Sequence, residues 1–181
     1  TASDVLGKTA LDLWCRDVGL TPVDKAGFTR AMGRLIDRGT LTIWSRTPLG
    51  NPPEDLVAVE ERTGADLIVD YRINTSDHGT LLVPKALVMG VGCNRGTPKE
   101  VIAAAIQATC DQHQLRIEAI ARLASIDLKA DEVGLLECAV ERGLHIDFYS
   151  KDQLNQVEGV ASSEAVLRAT GAKGVAEPAA L

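Results

Sequence analysis

Several things are missing from this sequence. No uninterrupted apolar run approaches the ~20 residues a membrane span needs, so no membrane partner is expected. The opening stretch TASDVLGKTALDLW has neither a basic n-region nor an apolar h-region, so it is not read as a signal peptide, and the chain reads as an internal segment of a longer one. There is no surplus of positive charge either. Nineteen Lys and Arg against 25 Asp and Glu give a net charge of −6 and a pI near 5.1, which speaks against non-specific binding to nucleic acid.

Cysteine pairs at metal or redox spacing are also lacking. Cys15, Cys93, Cys110 and Cys138 form no C-x-x-C, and reduced thiols in the cytoplasm are expected. Cys110 and His113 share a C-x-x-H spacing, but no second ligand pair follows, so no zinc site is expected. Internal repeats and low-complexity segments are absent.

What remains is an ordinary globular composition: 181 residues, 45% hydrophobic and 24% charged, enough for one good core or two small ones. Apolar spacing predicts a helix over residues 4–17. A second is expected over 26–39, where Phe28, Met32, Leu35 and Ile36 form a stripe and Gly39 stops it. TLTIWS (40–45) alternates as a strand, RTPLGNPPEDL is loop, ADLIVDYRI (65–73) is a strand, NTSDHG turns, and LLVPKALVMGVG (81–92) is extended.

From Ala86 the pattern is more regular. ALVMGVG reads as a buried strand and GTPKEVIAAAIQATCDQH as a helix, with Thr97 as N-cap, Pro98 at N1 and Glu100 closing a capping box. RLASIDL is the next strand, DEVGLLECAVERG a helix ending at Gly143, and LHIDFYS the third strand. Ser150 and Gln153 suggest a further capping box, and SEAVLRATG a last helix stopped by Gly171. Strands separated by helices imply parallel βαβ units. The expected fold is α/β, a C-terminal three-layer domain with a mainly parallel sheet, preceded by a small α/β module.

Chemistry concentrates in LVMGVGCNRGTPKE (87–100). Gly90, Gly92 and Gly96 give G-x-G-x-x-x-G, one residue longer than the dinucleotide fingerprint, and no Lys-Ser or Lys-Thr follows as in a P-loop. A nucleotide-binding domain would regain ground only with a phosphate ligand on this loop. An anion-receptive strand-to-helix turn, with free amides and Arg95, is one reading. A tight turn without a ligand is the other. Cys93 would have a lowered thiol pKa beside Arg95 and a helix start, or is simply a small packed residue.

In RLASIDLK, the period of two puts Leu123, Ser125 and Asp127 on one face, and Lys129 joins them if the chain stays extended. With Asp131 and Glu132 following, charge gathers at the sheet edge where α/β proteins bind ligands, unless these residues only solvate a strand end and cap a helix. His78 and His145 have no readable partners and read as structural or surface residues.

GVGCNRGT (90–97), ASIDLKADEVGL (124–135), SSEAVLRATG (162–171) and GVAEPAAL (174–181) together, in this order and spacing, closely resemble the C-terminal domain of the cobalamin biosynthesis protein G (CbiG) family over residues 86–181. On that resemblance, residues 21–85 correspond to the family's middle domain and 1–20 to the end of a truncated N-terminal domain. The resemblance implies cobalt-precorrin-5A hydrolase activity, opening a δ-lactone of a corrinoid and expelling a two-carbon bridge as acetaldehyde. It implies no protein-bound cofactor or metal, since cobalt arrives on the substrate.

Its carboxylate-rich substrate would need local donors: Arg95, Lys129 and the loop amides from Gly92 to Thr97, including Cys93 and Gly96, with Ser125 and Glu177 as further substrate-binding candidates. Asp127 or Glu132 would activate water, and the loop would stabilise the oxyanion. Other corrin-pathway enzymes and a second copy of the chain stay open as partners. The competing expectation is a non-catalytic corrinoid-binding or carrier module, like the related CobE.

Overall fold

The computed structural model describes residues 7–74 and 78–181. Its elements run α1 (Leu11–Asp17), β1 (Leu20–Pro22), α2 (Lys25–Arg38), β2 (Leu41–Ser45), β3 (Leu56–Ala58), β4 (Leu67–Val69), β5 (Thr80–Pro84), β6 (Leu87–Gly90), α3 (Lys99–Gln112), β7 (Ile120–Ile126), α4 (Val133–Arg142), β8 (His145–Tyr149), α5 (Lys151–Gln156), α6 (Glu164–Thr170) and α7 (Ala176–Ala180). Single 3₁₀ turns occupy Ile117–Ala119 and Asp127–Lys129. The chain forms two units: the part up to Lys85 together with Gln114–Ala119, and Ala86–His113 together with Ile120–Leu181.

In the first unit, five strands lie in the order β1-β5-β4-β2-β3. β1 is antiparallel to β5 and all other pairs are parallel. Leu11, Cys15, Phe28, Ala31, Leu35, Leu41, Ile43, Leu67, Val69 and Leu82 form its core. The apolar stripe of α2 is why this helix forms and which face it buries. Asp24 caps its start by accepting from Ala26 N and Gly27 N, and Gly39 closes it in a left-handed conformation.

The first helix is shorter than its periodicity suggested. Residues 4–6 of that expectation lie outside the described residues, and Lys8 and Thr9 are drawn into other bonds. Lys8 Nζ donates to Gly39 O, and Thr9 donates through both its amide and its hydroxyl to the Asp55 carboxylate. β3 was not foreseen, and only its first residue, Leu56, falls in the expected loop; it is three residues long, and its parallel pairing with β2 defines it. The expected turn at 74–79 falls largely on residues 75–77, which lie outside the described residues.

In the second unit, β6, β7 and β8 form a parallel sheet in that order. The extended stretch expected over 81–92 divides at Lys85–Ala86 into β5 and β6, which belong to different sheets. β7 is buried on both faces. Ala124 and Ile126 pack with Leu154, Ala172, Val175 and Ala179, while Leu123 and Ser125, of opposite parity, are equally inaccessible. α3 packs against α4, and α7 packs across β6 and β7.

Gly90 makes the second of these contacts possible. A Cβ there would lie 1.7 Å from the Ala176 carbonyl oxygen, so only glycine lets α7 lie this close. Ser150 and Gln153 form the expected capping box on α5, and Ser163 caps α6.

The start of α3 differs from expectation. Its N-cap is Pro98, with no side-chain cap bond. Thr97 instead donates its hydroxyl to Asn94 O at 2.8 Å, closing the loop on itself rather than bonding the helix amides. The β7 strand likewise stops at Ile126. Asp127–Lys129 turns as a 3₁₀ helix, so Lys129 does not continue an extended face.

Candidate functional site

β6 ends where the glycine loop begins, and β7 holds that end from two sides. Val91 N donates to Ala124 O at 2.8 Å, and the buried Ser125 hydroxyl donates to Val91 O at 2.7 Å. Ser125, expected to touch substrate, is therefore committed to the strand beside it. The loop then passes Gly92, Cys93 and Asn94, whose amides reach no acceptor among the described residues. It reverses at Gly96, whose φ of 74° favours glycine.

A second turn, 127–132, faces this loop. Glu132 joins the two. Its Oε1 accepts from Gly96 N at 2.6 Å, its Oε2 lies 3.5 Å from Lys129 Nζ and 3.8 Å from Arg95 Nε, and the residue is 2% exposed. Both carboxylate oxygens of Glu132, a water-activating candidate in the sequence, thus face protein donors in a buried setting. Arg95 points toward the same turn, with Nη1 2.5 Å from Asp131 Oδ1 and Nη2 donating to Leu128 O. The Arg95 hydrogen bond holds the Asp131 carboxyl below the usual aspartate range.

Next to the loop is a cleft of about 730 Å³, within the ~300–1,000 Å³ span of small-molecule sites. Its floor is the end of β6, Gly92–Asn94 and Ile126. One wall is the row Val101, Ala105 and Thr109 of α3, at helical i, i+4, i+8 spacing. The facing wall is Ala165, Val166, Ala169 and Thr170 of α6, with Val175 and Ala176 beyond. Alanines on both walls leave the volume open. Lys129, its side chain only 14% exposed, brings the one cation among the described lining residues.

The structure thus brings Gly92, Cys93, Thr97 and Lys129 to this cleft. Arg95, Gly96 and Glu132 border a second depression of about 440 Å³, which Thr97 shares. Asp127 and Glu177 line neither; both are exposed.

Of the two readings of Cys93, the thiol of lowered pKa is the one that its surroundings oppose. Burial, the largest influence, raises its thiol pKa, and Glu132 adds to this while Lys129 and Arg95 oppose it. The α6 wall was missed in the sequence. Its signal was there: α6 has no buried residue in its own packing, yet carries alanines at i, i+4. No group of three His, Cys, Asp or Glu among the described residues is placed to hold a metal, and no described helix is long and apolar enough to cross a membrane.

Comparison with known proteins agrees with this architecture. A cobalt-precorrin-5A hydrolase of Priestia megaterium is 38% identical over 130 residues, covering 68% of this chain and 35% of the relative. Protein CobE of Sinorhizobium sp is 39% identical over 102 residues, covering 52% of this chain and 63% of the relative. The chain therefore spans about a third of one relative and under two-thirds of the other. The crystal structure of CobE, a protein from the cobalamin (vitamin B12) biosynthetic pathway, aligns with a TM-score of 0.50 at 36% identity, covering 53% of this chain and 69% of that one. Residues 87–181, more than half of the sequence and all of the cleft, match the family described as Cobalamin synthesis G C-terminus, and the chain belongs to that family.

Proposed function

We propose that this chain is the corrinoid-holding part of a cobalt-precorrin-5A hydrolase. The α3–α6 cleft seats the substrate, and Lys129 takes one of its peripheral carboxylates. The observation that carries this reading is a single lysine, its side chain only 14% exposed, in a cleft of apolar walls. That arrangement suits an apolar macrocycle fringed with acids, because a carboxylate meets a charged donor where little water competes.

In the proposed reaction, water opens the δ-lactone and the two-carbon bridge leaves as acetaldehyde. Asp127, exposed in the turn that carries Lys129, is the carboxylate proposed to take the water's proton. The Gly92–Asn94 amides would stabilise the lactone oxyanion. Glu177, at the start of α7 beside the cleft-lining Ala176, is proposed as a polar contact at the rim. Cobalt enters with the substrate, and the proposed setting is the cytoplasm, with other corrin-pathway enzymes as partners.

A second reading is binding without turnover. It is favoured by one observation: the only titratable side chains among the described lining residues are Cys93 and Lys129, so the cleft itself holds no carboxylate base. Acetaldehyde release by the full-length protein, with Asp127→Asn and Lys129→Met variants, decides. Loss of release in Asp127→Asn with binding retained supports the hydrolase reading. Corrinoid binding with no release by the unaltered protein supports the carrier reading, and unchanged binding and release in both variants overturns the site.

A further inference from the structure

One wall of the cleft is rooted only at its ends. Leu154 and Ala172, 3% and 0% exposed, belong to the same buried cluster, yet no residue between them is buried. This stretch carries the α6 wall of Ala165, Val166, Ala169 and Thr170. Val166, half-buried, is the α6 residue that packs against the cluster. The opposite wall differs, because α3 sets Ile102, Ile106 and Cys110 into the interior. A segment with so little buried apolar surface opens locally while its surroundings stay folded.

The base of the stretch is closed by hydrogen bonds. Asn155 spans it: Nδ2 donates to Gly171 O at 3.1 Å, and Oδ1 accepts from Lys173 N at 2.8 Å. Beside them, Ser163 N donates to Lys173 O at 2.9 Å. The links on either side of α6 suit a hinge. Residues 157–163 form neither helix nor strand and include Gly159 at φ 77°, and Gly171 leaves the helix at φ 76°.

Lys129, the cation of the cleft, has a side chain only 14% exposed, which leaves a bulky ligand little room to reach it while the walls stay as they are. We propose that residues 155–171 are a hinged flap that parts from α3 to admit the ligand and closes on it, and that Asn155 is the positioning residue that latches the flap. The corrinoid as ligand rests on the function proposed above; the flap rests on its own burial and bonds. Opening breaks the bonds at the base and leaves α6 helical, so the Ser163 amide reports it.

The test is amide hydrogen exchange of the full chain, read residue by residue, with and without cobyrinic acid. In the free chain the Ser163 amide should exchange about 100-fold faster than the central amides of α3, and bound ligand should slow it by about tenfold. Asn155→Ala removes no partner of that amide, yet it should speed exchange at Ser163 by about tenfold with α3 unchanged. It should also speed dissociation of cobyrinic acid and of its amide counterpart cobinamide alike. A purely structural loss would move α3 too. Ser163 exchange as slow as that of α3, no slowing by bound ligand, or no response to Asn155→Ala overturns the flap. Failure of cobyrinic acid to bind overturns the corrinoid reading instead, and the ligand-free rates of the two proteins then decide the flap.

Discussion

Glu132 Oε1 accepts the Gly96 amide proton at 2.6 Å across 36 residues of sequence. This bond ties the glycine loop after β6 to the turn after β7. The other oxygen of the same carboxylate faces Lys129, so one buried side chain sets both the loop and the cation of the cleft.

Replacing Glu132 separates these roles. Glu132→Ala leaves a buried amide and the Lys129 ammonium without their acceptor and should cost about 1–3 kcal/mol. Glu132→Gln keeps an oxygen for Gly96 N and should cost less. Urea unfolding of the two variants checks the order; equal losses would contradict it.

Lys129→Met should weaken binding of cobyrinic acid, a corrinoid with free carboxylates, by about 10–100-fold, as expected for losing a charge-assisted hydrogen bond. Binding of cobinamide, in which those acids are amides, should change little. Calorimetric titration of both ligands gives the comparison.

Gly90→Ala and Gly92→Ala should differ sharply although they are two residues apart. At Gly90 the new methyl meets a backbone oxygen at 1.7 Å, whereas at Gly92 the nearest atom is Val175 Cβ at 3.7 Å. The first should destabilise by about 1–3 kcal/mol or more, and the second by little. Thermal unfolding reads both.

Asp70 gives the first unit an acid-sensitive component. Burial pushes its carboxyl upward, but hydrogen bonds from Arg46, the Arg72 amide and Arg62 outweigh this and hold it below the ordinary aspartate value. The unfolded chain then takes up the proton first. The stability Asp70 contributes is thus present above about pH 3.9 and fades as pH falls through the lowered folded value. Asp70→Asn should cost about 3 kcal/mol at neutral pH and flatten that acid limb, as followed by Trp44 fluorescence during urea unfolding at each pH.

Local signals carried well where one segment decides its own shape. The Phe28–Ile36 stripe with Gly39, and Ser150 with Gln153, each contain what their element needs. Thr97 misled because two bonds were open to its hydroxyl, and the Asn94 carbonyl took it. β3 was unreadable for another reason: three residues show no period, and the strand exists through its register with β2. The site was legible as a glycine loop with nearby charge. Which charges enter the cleft was not, since the 3₁₀ turn at 127–129 and the facing of α3 and α6 arise from tertiary packing. Asp70, closing the buried run Leu67–Val69, was a visible signal left unused.

Residues 114–119 lie beyond α3 in the chain, yet they belong to the first unit. Leu115 bridges Arg72, Ile73 N donates to Gln114 O, and Arg116 N donates to Tyr71 O. During synthesis, that unit therefore cannot finish when its last strand, β5, leaves the ribosome. At roughly 5–20 residues per second it waits some seconds for its closing segment, and a cut between Lys85 and Ala86 would divide the chain without yielding two complete bodies.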